Sequence, residues 1–184
     1  MRTIRKQAFA WAMLLAAVLF LPEAWGQISA AKKPSRRSES RISHLKEMES
    51  RVFRLINEVR RKKGLPMLDK DEALTATARA HSDDMLRRNF FSHVNPDGLS
   101  LKDRLAPVTA ATMSRAGENI WSGSGQDYSD SKLLARVIVD SWMSSPGHRA
   151  NILNPDYTHV GIGIGVMGKE IRATQVFAQI KSRK

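Results

Sequence analysis

Trp142-Met143-Ser144-Ser145-Pro146-Gly147-His148-Arg149-Ala150-Asn151-Ile152-Leu153-Asn154 is a stretch in which an apolar helix ends in a tight turn that presents a histidine. The helix before it carries its stripe on Leu134, Val137, Ile138, Ser141 and Trp142, and Ser129 and Asp130 can cap its start. Pro146 ends the helix, because its nitrogen has no hydrogen to give the ladder. Residues 148–153 read as one further helical turn, stopped by Asn154-Pro155. Beyond them Val160, Ile162, Ile164 and Val166 alternate with Gly161, Gly163 and Gly165, the period-two pattern of a strand. Glycine at every second position implies that a helix backbone packs closely there. Met167-Gly168-Lys169 is then a hairpin turn into a last strand over residues 173–180.

Upstream of this core, Met48, Val52, Leu55, Ile56 and Val59 recur at helical spacing, with Arg and Lys on the other face, until Gly64 and Pro66. Asp69 with Glu72 resembles a capping box, opening a second helix with the stripe Leu74, Ala78, His81, Met85 and Leu86. Asn95-Pro96-Asp97-Gly98 is a turn, and residues 100–105 add a short helix. Ile120 and Trp121 belong to a short strand, while residues 108–114 and 122–129 read as loop. Helices first and antiparallel strands last give an α+β class.

The N-terminus follows a different logic. Arg2, Arg5 and Lys6 precede a 14-residue apolar run, Pro22 breaks it, and Ala24-Trp25-Gly26 supplies small residues for cleavage. That is the pattern of a secretory signal peptide over residues 1–26, and the run is shorter than the ~18 residues of a membrane span. No second such run follows, so a soluble, exported protein is expected, ending in a periplasm, on a cell wall or in the medium. There is no cysteine, which excludes disulfides, thiolate metal sites and a cysteine nucleophile. The 158 residues after Gly26 suffice for one domain that stands on its core alone.

Net charge is +12 for the whole chain. Residues 27–44 hold Lys32, Lys33, Arg36, Arg37 and Arg41 against Glu39, and read as a basic disordered linker before a domain over 45–184. Such a tail is either a solvated spacer or a dock for anionic lipid or cell-wall polymer. An export signal argues against nucleic acid as the partner.

Of the five histidines, His44 lies at the tail junction and His81 on the apolar stripe of the second helix, where a hydrogen-bonded core role is expected. His93 and His148 each sit beside a turn, and Glu118 stands at a loop edge, positions from which side chains reach a cleft. Two imidazoles and a carboxylate suit either zinc with an open water position or a proton relay. Three unrelated, satisfied polar residues are the alternative, since the spacings of 25 and 30 residues match no paired-ligand motif. Ser145 is the best-placed serine nucleophile, with a helix-end role as its rival; no Gly-x-Ser-x-Gly elbow is present.

Taken in order, Leu55-Ile56-Asn57-Glu58-Val59-Arg60, Phe91-Ser92-His93, Gly117-Glu118-Asn119-Ile120, Ser145-Pro146-Gly147-His148-Arg149 and Val160-Gly161-Ile162-Gly163 resemble the CAP superfamily of cysteine-rich secretory proteins, venom allergens and plant pathogenesis-related proteins, in its bacterial, cysteine-free branch. The resemblance implies an α-β-α sandwich with a small antiparallel sheet between helical layers. It also implies a central cleft of two histidines and two acids that in some relatives holds a divalent cation. By position the cleft residues are His93, His148 and Glu118, and the second acid falls on Ser145. At most a two-histidine, one-carboxylate zinc site is then expected, with water or Asp140 in the fourth position.

Three functions follow as expectations. One is a secreted, monomeric, non-catalytic module binding a cation, a small apolar ligand such as a lipid, or a peptide. Another is a cation-dependent hydrolase with Glu118 as general base and His93 and His148 on the metal. The last is envelope attachment through the basic tail.

Overall fold

The computed structural model describes residues 35–107, 113–125 and 130–180. The expected signal peptide lies outside them. The elements are α1 (Arg36–Lys62), β1 (Asp69–Lys70), α2 (Glu72–Arg87), α3 (Leu101–Leu105), β2 (Met113–Ser124), α4 (Ser131–Ser144), α5 (Pro146–Ile152), β3 (His159–Met167) and β4 (Glu170–Ile180).

The hairpin of β3 and β4 is the centre of the sheet, turned at Gly168, whose φ of 60° suits a residue without a side chain. The strand order is β1-β3-β4-β2. The three long strands are antiparallel, and the two-residue β1 adds a parallel edge against β3, so the sheet is mixed at its margin rather than wholly antiparallel.

Alternation along β3 divides the layers. Val160, Ile162, Ile164 and Val166 enter one core with Met48, Val52 and Ile56 of α1, Leu134, Ile138 and Trp142 of α4, and Phe177. The glycines face α2. A Cβ on Gly161 would lie 2.1 Å from the Leu74 carbonyl carbon, and one on Gly163 2.1 Å from the Arg79 nitrogen. Helix and strand backbones therefore touch, as the glycine spacing predicts, and Leu74, Ala78, Leu105, Val176 and Ala178 form a second core beside them. Helices cover both faces of the sheet.

Several expectations are corrected. Helix α1 begins at Arg36, inside the stretch expected to be a disordered linker, because residues 35–62 contain no Pro or Gly and Leu45 packs on the main core. Arg41, counted there with the basic tail, donates to the Val166 carbonyl. Asp69 pairs in β1 and caps nothing; Asp71 is the N-cap of α2, accepting from the Leu74 amide at 2.8 Å. The short strand expected at Ile120 and Trp121 is 12 residues long and takes in Met113, Ser114 and residues 122–124, read as loop. Its Ser, Gly and Arg residues have little intrinsic strand preference; pairing with β4 along the whole length supplies the order.

Arg60 is also misplaced by the sequence pattern. It reads as part of the basic face of α1, yet it is fully buried. Its guanidinium donates to the carbonyls of Pro66, Ile152 and Asn154, each at 2.8 Å. Charged hydrogen bonds to the last carbonyls of α5 tie that helix, which carries His148, to the end of α1.

Gly163→Ala should force α2 off the sheet. A loss of about 1–3 kcal/mol or more in unfolding free energy is expected from such overpacking, read as a lower urea midpoint. An unchanged midpoint would show that the two backbones are not held in contact.

Candidate functional site

Strand β2 is an edge, and two adjacent residues on it reach opposite faces because side chains alternate along a strand. Glu118 stands opposite Val176 and Asn119 opposite Gln175. Each secures one of the histidine segments.

On the α2 side, the Glu118 side chain is only 3 % exposed. Its Oε1 accepts from His93 Nδ1 at 2.8 Å, and Arg104 Nη2 lies 2.9 Å from Oε2 and 3.2 Å from Oε1. The same Nη2 donates to the His93 carbonyl at 3.0 Å. A carboxylate can only accept, so His93 carries its hydrogen on Nδ1 and turns Nε2 away from Glu118. The His93 side chain is 54 % exposed. Its segment is held by the turn that follows, where Asn95 Oδ1 accepts from the amides of Asp97 and Leu99, and Arg88 pairs with Asp97. Arg104 is set by α3, whose Ser100 amide donates to Asp103 at 2.9 Å and whose Leu105 is fully buried.

On the other side, Asn119 Nδ2 donates to the His148 carbonyl at 3.1 Å and to Gln175 Oε1 at 3.1 Å. Asn151 of α5 donates to Asn119 Oδ1 at 2.9 Å and to the Glu118 carbonyl at 3.2 Å. These bonds clamp α5 to β2. Gly117 makes room for the clamp, since a Cβ there would lie 2.3 Å from the Tyr157 hydroxyl. His148 is half-buried; desolvation, and then the nearby His93, pull its pKa below the ordinary imidazole value.

The expected members of the site are thus distributed unevenly. His93 and Glu118 are bonded, and His148 is within electrostatic range of His93. Ser145 is a junction: its amide donates to the Trp142 carbonyl, its carbonyl accepts from Arg149, and it forms the N-cap of α5. Asp140 is exposed on α4. Among the described residues no three His, Asp or Glu side chains are grouped to hold a metal ion, so the expected ligand set of His93, His148 and Glu118 is not presented as one. Glu118 instead places one oxygen on His93 and the other on Arg104. Arg104, Asn119 and Asn151 were missed by sequence reasoning; the two asparagines stand within the very motifs that flag Glu118 and His148.

His81 is the buried, bonded residue its stripe predicts. Its Nε2 lies 3.0 Å from the Ser92 carbonyl, beside His93, and its ring meets Phe90 edge-on. A carbonyl only accepts, so Nε2 carries the hydrogen and Nδ1 is a bare acceptor. Burial lowers its pKa.

Next to the Glu118–His93 pair is an open cleft of about 660 Å³. Val94, Leu101, Met113 and Ala116 line it together with His93 and Glu118. His148 and Ser145 are not among its lining residues. No helix among the described residues is long and apolar enough to cross a membrane.

Comparison with known proteins agrees with this architecture. Residues 53–177 match the profile of the cysteine-rich secretory protein family. The uncharacterised protein YkwD of Bacillus subtilis (strain 168) is 37% identical over 142 residues, covering 74% of this chain and 52% of that protein. The crystal structure of an extracellular protein containing an SCP domain from Bacillus anthracis str. Ames superposes with a TM-score of 0.62 at 32% identity, over 81% of this chain and 45% of that one. An outer surface protein of Borrelia burgdorferi shares the fold, with a TM-score of 0.64 at 20% identity over 74% of this chain and 95% of its own. The chain therefore spans about half the length of the two Bacillus relatives.

Both His81 and His148 have pKa values lowered in the folded state, so the unfolded chain binds more protons as pH falls through about 6.5. Their contribution to stability is full above that pH and is lost progressively below it. Unfolding free energy should drop between pH 7 and pH 5, and His81→Gln should flatten the slope. An equal slope in that variant would count against burial of a neutral His81.

Proposed function

The chain belongs to the cysteine-rich secretory protein family, and we propose that it acts as an exported, non-catalytic binding module. Its ligand is a small molecule with an apolar body and a polar head. The observation that carries this reading is the cleft itself: about 660 Å³, with apolar walls of Val94, Leu101, Met113 and Ala116 and one oriented imidazole. That volume lies in the range of small-molecule sites, which are mostly apolar with a few placed polar groups. His93 Nε2 offers the head an acceptor, and Lys102 lines the same cleft as a positive charge. Export is supported by the N-terminal pattern and by an extracellular relative.

A hydrolase fits this arrangement less well. A general base needs an available lone pair near the reacting water. Glu118 directs both oxygens to N–H donors, and Ser145 occupies a helix junction with no histidine bonded to it among the described residues.

Titration with 2-naphthol, a fluorescent apolar ring system with one hydroxyl head that can donate to His93 Nε2, tests the proposal. One saturable site is expected, weakened at least tenfold by Met113→Asp and a few-fold by His93→Ala. Fluorescence unchanged by either substitution would place binding elsewhere and sink the reading.

A further inference from the structure

We infer that Arg104 is the resident cation of this site, taking the electrostatic place beside Glu118 that a divalent metal would otherwise hold. The family resemblance implies such a metal, and the residues present do not fit one.

A carboxylate this deeply buried requires a compensating positive charge. Arg104 supplies it: the guanidinium touches both Glu118 oxygens, and its side chain is itself only 11 % exposed. Swinging it aside to admit a metal would break the contacts of Nη2 to both Glu118 oxygens and to the His93 carbonyl together. A metal bound directly to Glu118 would lie against the guanidinium, a like-charge contact in a place poorly reached by water.

The remaining route is a metal on His93 Nε2, with Glu118 as an outer partner on Nδ1. That carboxylate–histidine arrangement does orient metal-binding imidazoles in general. Here it would leave His93 and His148 as the protein ligands, because the position expected to supply an acid is Ser145. Zinc sites ordinarily use three or four protein ligands, so two imidazoles leave the ion weakly held. Ser145 in place of the expected acid and Arg104 beside Glu118 act in the same sense: the charge that a metal would bring is already built into the chain.

Arg104 is also a positioning residue. Through Nη2 it joins the backbone of His93 to the carboxylate that orients the His93 ring, so the Nε2 lone pair is presented without metal. Recognition at that atom is then of a hydrogen-bond donor, and it is insensitive to chelators. The inference stands on the ion pair and does not depend on which ligand fills the cleft.

Calorimetric zinc titration of four forms of the full chain decides it: the natural protein, Ser145→Glu, Arg104→Gln, and the double variant. Glutamine keeps hydrogen-bond donors at position 104 and removes the charge. No saturable binding is expected for the natural protein, and little for Ser145→Glu alone. The double variant should bind zinc at least tenfold more tightly than Ser145→Glu, and His148→Ala added to it should abolish the gain. Thermal unfolding gives the independent readout: Arg104→Gln should lower the midpoint, and zinc should raise the midpoint of the double variant but not that of the natural protein. Two results would overturn the inference. One is zinc binding to the natural protein that is lost in both His93→Ala and His148→Ala. The other is equal zinc affinity in Ser145→Glu with and without Arg104.

Discussion

The register of β2 against β4 governs everything that concerns the site. Because Glu118 lies opposite Val176 and Asn119 opposite Gln175, one edge strand sends a carboxylate to the α2 face and an amide to the α5 face. A slip of one residue would exchange them. The carboxylate would then face the Asn151 clamp, and the amide would face the His93 segment. The twelve-residue length of β2 opposes that slip, since every pair along β4 would have to shift together.

From that constraint the two sides assemble differently. The α2 side is electrostatic: a buried anion draws in a guanidinium from α3 and an imidazole from the turn segment. Breaking such a cluster by removing one partner strands a buried charge. The α5 side is a lattice of neutral hydrogen bonds between Asn119, Asn151 and two backbone carbonyls, reinforced at the far end of the helix by Arg60. One side of the cleft is thus sensitive to charge, and the other to shape.

The core beneath has its own logic. Glycines on β3 let α2 lie against the strand, while the branched side chains between them fill the opposite layer. This asymmetry brings α2 close enough for Ser82 to bond the Gly163 carbonyl and Thr174. It also seats His81 beneath the segment that carries His93, through the bond to Ser92. Stability and site geometry are therefore coupled through a single helix–strand contact.

Local pattern determined the stripes of α1 and α2, the glycine-spaced strand and the hairpin at Gly168, and it drew attention to His93, Glu118 and His148; on α4 it misplaced Val137 and Ser141, which are exposed, where Ala135 and Val139 are buried. What it determined follows from periodicity and turn chemistry, which act over a few residues. Residues whose role depends on what lies across the fold were not legible there. Arg60 and Arg104 look like ordinary surface cations, and only burial beside distant acceptors turns them into structural ones. The length of β2 came from its partner strand rather than from its own composition. Whether Glu118 faces a metal or a guanidinium was likewise a tertiary decision, because the competing charge comes from a separate helix 14 residues away in sequence.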